Sequence, residues 1–505
     1  MGKHETSERL LTTKQKALKV NLDASIYGSF AEIGAGQEVA AQFFKAGAAS
    51  GTIAKTMSAY DMAFSDAIYG AEESGRYVCE SRLIKMIDHE YHLVEERLRE
   101  HRPDTCFFAL SNTIEVLNYS KTNRGHGWIG VRFQLKPNTP PNEVIIHINL
   151  LDNHKFLQEQ VVGIMGVNLI YACFYHTNDP DKMLISLMDN LSRDRVEVDM
   201  FRMTGKDFEE VDNRLMSLKL VKNGMSNAAM FGANGNVLQP SEALYKKNIL
   251  ALRGRFRPPT HVNVDMLDRG LDMFKAEDDV VEKDIQVLVE LTLANLRAEG
   301  TISDQDFLDR VDILCSMGQT VIISNYQEYY RLVEYLSLFN RGKKIGIILG
   351  IYSLADVFED EFYTNLNGGI LEAFGKLFGS NVKMYVYPSR IPGTDKILGC
   401  DDFEVAPKQA SLYKYLLETD KLATIQNINT KILHIFSDNV LEMIKNGKQG
   451  WEEMVPEVVE KAIKDKCLFE YPCPTDKLSE AENERKQETL EREQKARQEI
   501  IDNNL

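Results

Sequence analysis

Short segments that favour β-strands alternate with helical patterns in the first half of the chain. The segments "TCFFAL", "GWIGVRFQL", "NEVIIHINLL" and "RVEVDMFRM" are rich in β-branched and aromatic residues, which is typical of strands. Residues 156–175 form one long apolar segment with helical periodicity, and "DFEEVDNRLMSLKLVKNG" is an amphipathic helical pattern. This order predicts an α/β or α+β domain over residues 1–245, ending near the turn-rich "GANGNVLQPSE".

The second half has a more regular alternation of strands and helices. Strands are predicted at 249–256, "TVIISN", "KIGIILG" and "VKMYVYP", and helices at 264–275, 283–298, 303–315, 326–339 and 368–378. Such alternation indicates a doubly wound parallel sheet, so we predict a Rossmann-like α/β domain over residues 246–406. The run "ILAL" is apolar at every position, which predicts an interior strand covered on both faces.

The end of the chain has a helical pattern without a predicted sheet. Residues 407–475 are expected to form a helical region, and residues 476–505 a highly charged helix. Leu478, Leu490 and Ile500 in that helix do not sustain a heptad. A solvated or frayed tail is therefore favoured over a coiled coil.

The composition restricts the class of protein. The 505-residue chain is 44% apolar, which suggests about two to four domains with large cores. Its formal net charge is −16. A nucleic-acid-binding protein normally has a basic surface field, so we expect no nucleic-acid partner.

The cysteines and the apolar segments bear on the compartment. The seven cysteines include no CxxC pair, and the start "MGKHETSERLL" lacks the apolar core of a signal peptide. The longest mostly apolar stretch, about 15 residues at 161–175, is too short to cross roughly 30 Å of hydrocarbon. We therefore expect a cytoplasmic protein with reduced thiols and no membrane span.

The stretch "ILALRGRFRPPTHVNVDML" at 249–267 carries the main candidate chemistry. Ligands of a doubly wound sheet bind outside the carboxyl ends of its strands, where helix N-termini favour phosphate. Period-two alternation would place Arg253, Arg255 and Arg257 on one face of the strand. Three guanidiniums beside the start of a helix would suit a triphosphate.

The same stretch resembles the signature GxFxPx(T/H)xGH of the nicotinate- and nicotinamide-mononucleotide adenylyltransferases and their relatives. Gly254, Phe256, Pro258 and Thr260 match it in register, after a predicted strand and before a predicted helix. The resemblance implies a nucleotidylyltransferase-like fold, and ATP with Mg²⁺ as ligands. In the family the enzyme positions the two reactants and stabilises negative charge in phosphoryl transfer.

The last two positions of the signature differ in this chain. Val262 stands where the family has glycine, and Asn263 stands where it has the second histidine. His261 is a nearby substitute for that histidine, and Arg390 in "YPSRIPGTDK" is a substitute for the arginine of the family's missing second signature. The resemblance thus implies phosphate-handling roles for Thr260, His261 and Asn263, with weak or no nucleotidyl transfer.

A wider resemblance covers nearly all of the chain except about its last 30 residues. The phrases "YGSFAEIGAGQEVAAQFFKAG", "SAYDMAFSDAIYG", "VDNRLMSLKLV" and "GGILEAFGKLF" resemble an uncharacterised family of bacterial proteins. Its members are labelled nicotinate-nucleotide adenylyltransferase or TonB-dependent receptor. A receptor barrel needs an export signal and many alternating strands, so only the first label agrees with this sequence.

Five other segments are candidates for sites, each with a structural alternative. Glu32, Gly34 and Gly36 resemble the first motif of S-adenosylmethionine methyltransferases, or they form a tight βα turn. "GAASGTIAKT" at 47–56 has the wrong glycine-to-lysine spacing for a P-loop, so Lys55 and Thr56 are expected on a helix surface. The remaining three are metal or ligand candidates with a solvated alternative: His89, His92 and Glu96 on one helix face, His126 in a glycine-flanked turn beside Arg124, and the acid pair Asp401 and Asp402.

Two functions remain open from the sequence. One is an enzyme that transfers a nucleotidyl group to a mononucleotide. The other is a noncatalytic nucleotide-sensing or assembly protein, and this alternative includes a form without any nucleotide ligand. In either case the expected partner is a nucleotide or another phosphorylated small molecule, and a homo-oligomer is an open alternative.

Overall fold

The computed structural model describes residues 10–72, 75–297, 302–379, 381–391 and 393–502. The chain divides into two compact units. Unit 1 comprises Met1–Ser226 with Thr489–Leu505, and unit 2 comprises Asn227–Glu488. Both units are mixed α/β, as the sequence predicts.

Unit 1 is built on a six-stranded sheet in the order β2-β1-β3-β4-β5-β6. The strands β1, β2 and β3 are parallel, whereas β3, β4, β5 and β6 form an antiparallel meander. The strands are β1 (Ile26–Gly34), β2 (Ile53–Ser58), β3 (Cys106–Glu115), β4 (Gly125–Phe133), β5 (Asn142–Leu150) and β6 (Val196–Thr204). The helices are α1 (Thr13–Asn21), α2 (Glu38–Ala46), α3 (Met62–Tyr69), α4 (Glu80–Leu98), α5 (Lys155–Tyr175), α6 (Pro180–Ile185) and α7 (Asn213–Lys222).

The apolar segment expected at 156–175 is the central helix of unit 1. The helix α5 spans 21 residues and is apolar enough to cross a membrane by length and composition, although 72% of its most apolar window is buried inside the protein. Its residues Val161, Met165 and Leu169 are fully buried in the main core cluster of unit 1. A buried core helix therefore accounts for this segment.

Unit 2 is built on an eight-stranded sheet in the order β16-β13-β12-β9-β10-β11-β7-β8. Six strands are parallel, and β7 and β8 form an antiparallel hairpin at one edge. The sheet strands are β7 (Ala228–Phe231), β8 (Val237–Leu238), β9 (Asn248–Arg253), β10 (Ile285–Thr292), β11 (Thr320–Ser324), β12 (Ile345–Gly350), β13 (Val382–Tyr387) and β16 (Leu422–Thr424); β14 (Ser389–Arg390) and β15 (Ile397–Leu398) form a separate pair.

The helices of unit 2 follow most of these strands along the chain. They are α8 (Pro240–Ala243), α9 (His261–Lys275), α10 (Leu293–Arg297), α11 (Asp304–Ser316), α12 (Tyr329–Asn340), α13 (Ile351–Val357), α14 (Gly369–Phe378), α15 (Ala410–Glu418), α16 (Ser437–Lys445) and α17 (Glu457–Lys466). A last helix, α18 (Thr475–Asp502), has residues in both units.

The strand β9 occupies the centre of the parallel sheet, as the "ILAL" run predicts. Residues Ile249–Leu252 are each at most 1% exposed. Ile249 and Ala251 belong to the core cluster that includes residues of α12, α13 and α14. On the other face, the side chains of Leu250 and of Phe274 in α9 both lie against Gly346 of β12. Helices thus cover both faces of this strand.

The strand β10, which pairs with β9, was predicted wrongly as a helix. Residues 285–292, "IQVLVELT", form β10 beside β9, and only Leu293–Arg297 are helical in the predicted segment 283–298. A strand buried on both faces is apolar in consecutive positions, so its pattern does not differ from that of a buried helix. Pairing with β9 and β11 decides the conformation.

Two expected boundaries and the expected solvated tail differ from the structure. The turn "GANGN" connects β7 to β8, and β7 pairs with β11, so unit 2 begins before the expected boundary at residue 245. The strand β16 extends the sheet beyond residue 406. The helix α18 is not a solvated tail throughout, because Arg497 donates hydrogen bonds to Asp88 and to the buried Glu143 of unit 1.

The thiols also differ from the expectation of seven reduced cysteines. Cys467 and Cys473 form a disulfide in unit 2, whereas the other five cysteines are thiols. Four of those five are buried. The short spacing of the bonded pair did not match any motif considered in the sequence.

The contact between α2 and α5 gives a prediction about packing in unit 1. A Cβ atom at Gly166 of α5 would lie 2.5 Å from Cγ2 of Val39 in α2. We expect Gly166→Ala to lower the free energy of unfolding by about 1–3 kcal/mol because the site is overpacked. Urea denaturation measures this change.

Gly375 is the matched control for Gly166. It also lies within a helix, but no described heavy atom lies within 4 Å of the position of its Cβ. Gly375→Ala should leave the stability unchanged or raise it by up to about 1 kcal/mol, since alanine has the higher helix propensity. Equal losses in the two variants would contradict the close approach of α2 and α5.

Candidate functional site

The loop that leads from β9 into α9 lies at the point where the strand order of unit 2 reverses. Numbered along the chain, the six parallel strands from β9 to β16 have the spatial order 3-2-1-4-5-6. In sheets of this order, ligands bind outside the carboxyl ends of the strands on either side of the switch point. Here those strands are β9 and β12, which end at Arg253 and Gly350.

The three arginines of this loop do not form the expected stripe on one face. The strand ends at Arg253, and Phe256 has a positive φ of 48°. Period-two alternation therefore stops before Arg255, and the three guanidiniums turn toward carboxylates on different elements. This geometry is a correction of the prediction that Arg253, Arg255 and Arg257 share a face.

Arg253 is committed to a buried ion pair. Its Nε and Nη2 atoms lie 2.7 and 3.0 Å from the two carboxylate oxygens of Glu290, which is fully buried on β10. The hydroxyl of Ser324 donates to the same carboxylate at 2.5 Å, and Nη1 of Arg253 donates to the carbonyl of Gln327 at 2.6 Å. Arg253 is therefore a structural partner for Glu290.

Arg257 is held in a second, partly buried cluster. Its Nε donates to Asp306 of α11, and Arg310 of the same helix lies 2.5 Å from the other oxygen of this carboxylate. Arg310 also donates to the carbonyl of Arg255 at 3.1 Å. This cluster fixes the loop against α11.

Arg255 differs from the other two because it is exposed. Its side chain is 56% exposed, and its contact with the exposed Asp438 is 3.4 Å long. An exposed pair of this kind contributes between about 0 and 1 kcal/mol. Arg255 can therefore exchange this partner for an anionic ligand at little cost.

The remaining signature residues have local structural roles in the loop. The ring of Phe256 lies over Gly254, where a Cβ would approach Cζ to 3.0 Å. Pro258 is buried after a cis peptide bond. Thr260 is buried at the N-cap of α9, and Oδ1 of Asn263 accepts its backbone N–H at 2.9 Å. Asn263 thus stabilises the start of its own helix.

His261 and Arg390 are the other two predicted residues of the site. His261 is the first residue of α9 and is partly exposed. Arg390 follows β13, is 45% exposed, and donates to the carbonyl of Thr430 at 3.4 Å. The neighbouring Asn429 donates its N–H to Asp265 of α9, and Tyr387 at the end of β13 donates to the same carboxylate. Arg390 therefore lies on the same side of the sheet as the start of α9.

The other sequence candidates of unit 1 mostly have structural explanations. At Gly34, which has a φ of +81°, a Cβ would lie 2.0 Å from the carbonyl oxygen of Ile114, and at Gly36 it would lie 1.7 Å from Asn112. These glycines pack the βα turn against β3, in agreement with the structural alternative. Lys55 and Thr56 lie in β2, not on a helix, and Lys55 pairs with the buried Glu90 at 2.6 Å.

The proposed metal faces do not assemble into a cluster. Within the described part of the chain, no group of three or more His, Cys, Asp or Glu side chains could hold a metal ion. His92 contacts the carbonyl of Asp88 on its own helix, and His89 packs against Tyr69. Asp402 pairs with Lys396, and both Asp401 and Asp402 are exposed.

His126 is part of a network that the sequence did not reveal. Its Nδ1 lies 3.1 Å from Nε2 of His147, and Nδ1 of His147 lies 2.6 Å from Oδ1 of Asp199. Burial, and to a smaller extent the adjacent His147, lowers the pKa of His126 to about 4. His147 interrupts the apolar run "VIIHI" of β5, and this was the available signal in the sequence.

The comparisons with known proteins identify no family for this chain. No protein-family model matches the sequence, and no curated protein matches it. The competence/damage inducible protein CihA from Agrobacterium tumefaciens is a similar solved structure, with 13% identity, a TM-score of 0.23, and coverage of 32% of this chain and 94% of that chain. A competence-damaged protein (CinA) superfamily protein from Enterobacter cloacae has 12% identity, a TM-score of 0.24, and coverage of 34% and 98%.

The buried pair of Arg253 and Glu290 gives a prediction about stability. In Arg253→Met the fully buried Glu290 loses its cationic partner, which we expect to lower the free energy of unfolding by about 3–5 kcal/mol. Arg255→Met at the exposed position should cost at most about 1 kcal/mol. Denaturant titrations of both variants measure the difference. Unchanged stability of Arg253→Met would mean that this arginine is not a structural partner.

The buried carboxyl of Glu32 gives a prediction about pH. Burial raises the pKa of Glu32 to about 7, and the hydroxyl of Ser58, 2.9 Å away, opposes the shift. Between the unfolded value of about 4.5 and pH 7, the folded state binds more protons than the unfolded state. Stability should therefore fall by roughly 3 kcal/mol as the pH rises through this window.

Glu32→Gln is the variant that isolates this effect. The amide does not ionise, so the stability of the variant relative to the wild type should rise between pH 5 and pH 8. Unfolding titrations at these two pH values measure the relative change. Parallel pH profiles of the two proteins would show that Glu32 does not titrate in this range.

Proposed function

We propose that unit 2 binds a nucleotide, or another phosphorylated small molecule, at the carboxyl end of its parallel sheet, with little or no nucleotidyl transfer. The observation that carries this proposal is the placement of the loop 254–260 at the switch point between β9 and β12. The loop leads directly into α9, and the N-terminus of a helix of 15 residues favours an anion.

Arg255 and Arg390 are the cations that we assign to the phosphates. Both side chains are about half exposed, and both have long polar contacts of 3.4 Å with exposed groups. Such contacts are weak in water, so a phosphate can replace them and gain stronger charge-assisted hydrogen bonds. His261 at the start of α9 is the further candidate contact.

Space for a ligand is present beside the end of β12. A Cβ built on Gly350 would have no described heavy atom within 4 Å. Glycine at this position also allows the backbone to approach a ligand closely. The combination of an open strand end, an adjacent helix N-terminus and exposed arginines supports binding at this edge.

The arrangement of the signature residues supports binding more than catalysis. Val262 packs against the helical core cluster that includes Trp451 and Val459. Its side chain therefore occupies the position where the family's glycine allows the backbone to approach a nucleotide closely. Asn263 is occupied by the capping bond with Thr260 and carries no charge. The alternative is an assembly protein without a nucleotide. This alternative is favoured by the ion pairs that Arg253 and Arg257 form with carboxylates of the protein itself.

Calorimetric titration of the full chain with ATP and Mg²⁺ tests the proposal. Arg255→Ala and Arg390→Ala should each weaken binding by about tenfold to a hundredfold, the effect of a lost charge-assisted hydrogen bond. Arg341→Ala is the matched control because Arg341 lies between α12 and the start of β12, at the amino end of that strand. The control should leave the affinity unchanged.

A second measurement separates binding from catalysis. Pyrophosphate release from ATP with nicotinate mononucleotide should be far below the roughly 10 s⁻¹ that is the median turnover of enzymes. A rate near that value would restore the transferase function. If wild-type protein binds neither ATP nor inorganic triphosphate, the nucleotide proposal fails and the assembly function is favoured.

A further inference from the structure

The antiparallel meander of unit 1 carries a continuous row of polar side chains from β6 to β3. Asp199 on β6 contacts His147 on β5, which contacts His126 on β4. His126 in turn faces Glu115, its direct partner in the register between β4 and β3. The row begins among buried residues and ends at the surface, because Asp199 and His147 are at most 4% exposed and the Glu115 side chain is 47% exposed.

When both imidazoles are neutral, the hydrogen bonds of this row determine which ring nitrogens carry the protons. The carboxylate of Asp199 can only accept, so Nδ1 of His147 donates to it and Nε2 of His147 is left as an acceptor. Nδ1 of His126 must then donate to Nε2 of His147. Nε2 of a neutral His126 then presents a lone pair.

The carboxylate of Glu115 is a second acceptor, and it lies close to this lone pair of His126. Asn123 donates to Oε1 of Glu115 at 2.8 Å, which orients the carboxylate. The other oxygen, Oε2, lies 3.8 Å from Nε2 of His126. This separation is longer than a hydrogen bond, and neither atom carries a hydrogen to share. Two electron-rich atoms thus face each other at the surface.

We propose that His126 and Glu115 are the protein ligands of a divalent transition-metal ion of the zinc type, with water or a bound substrate in the remaining positions. Ligands at 2.0–2.1 Å from a tetrahedral zinc ion lie about 3.3 Å apart. The observed separation needs to shorten by only about 0.5 Å, which a small rotation of the half-exposed Glu115 supplies. Imidazole nitrogen favours zinc, nickel or copper over magnesium or calcium.

His147 and Asp199, the buried part of the row, are placed like the residues that orient a metal-binding histidine from behind. A histidine ligand usually donates its other N–H to an acceptor, which fixes the ring and raises its basicity. Here His147 is that acceptor, and Asp199 holds His147 in the required tautomer. Asn149 donates to the second oxygen of Asp199 at 2.8 Å.

The local charge also permits a cation at this place. Glu115 and Asp199 contribute two carboxylates to the row, whereas Arg76 is the positive group that acts on His126. Because the two ligands come from adjacent strands of one sheet, their backbones are fixed relative to each other. The site therefore needs no rearrangement of the fold, and it is independent of the nucleotide site proposed for unit 2.

Titration of the untagged, metal-free full chain with Zn²⁺, followed by calorimetry, tests this proposal. We expect one site whose affinity falls at least tenfold in Glu115→Gln and in His126→Gln. Asp199→Asn should also weaken binding, by about tenfold to a hundredfold, the usual effect of removing an outer-shell partner. His92→Ala is the matched control, because His92 is a histidine on a helix of the same unit, and it should leave the affinity unchanged.

A spectroscopic measurement identifies the ligand atoms directly. In ¹H–¹⁵N spectra of the histidine rings, Zn²⁺ should shift Nε2 of His126 while its Nδ1 stays protonated. Glu115→Gln keeps the proposal testable if His126→Gln does not fold, since Glu115 is half exposed and can be replaced without disturbing the core. If Zn²⁺ does not bind, or if it binds with equal affinity to Glu115→Gln and the wild type, the proposal is overturned.

Discussion

The burial of β9 on both faces is the constraint on which unit 2 depends. A strand at the centre of a parallel sheet has no solvent on either side, so its side chains are mostly apolar and any polar one needs a partner. The first polar side chain after "ILAL" is Arg253, and it emerges where the carboxyl ends of the strands meet. Its charge must be compensated there, and Glu290 on the neighbouring strand does so with two hydrogen bonds. The loop to α9 begins from this fixed point.

The same compensation determines which cations are free to meet a ligand. Arg253 and Arg257 are each paired with a buried or partly buried carboxylate. Removing one member of such a pair would leave the other as an unpaired charge with little access to water. Arg255 and Arg390 have exposed partners at longer distances. A sequence motif of three arginines therefore contributes one candidate ligand-binding arginine, and the second candidate comes from a different loop.

Unit 1 uses polar residues in a different way. Its sheet has apolar residues packed under α2 and α5 on one face, and elsewhere in the unit the buried Glu90 pairs with the partly exposed Lys55. The row from Asp199 to Glu115 continues this pattern across four antiparallel strands. In this row a buried carboxylate is linked through His147 to the partly exposed His126.

The amino-acid sequence by itself determined the fold class and many of the elements. Alternating strand and helix patterns over unit 2 predicted a parallel sheet with β9 inside it, because consecutive apolar positions require burial on both faces. The tertiary structure decided that residues 285–292 are a strand, since the same apolar run is compatible with a helix until its neighbours are present. It also decided the partners of the three arginines and the contact between His126 and His147. These depend on side chains from segments far apart in the sequence, and local periodicity contains no information about which carboxylate or imidazole will lie beside them.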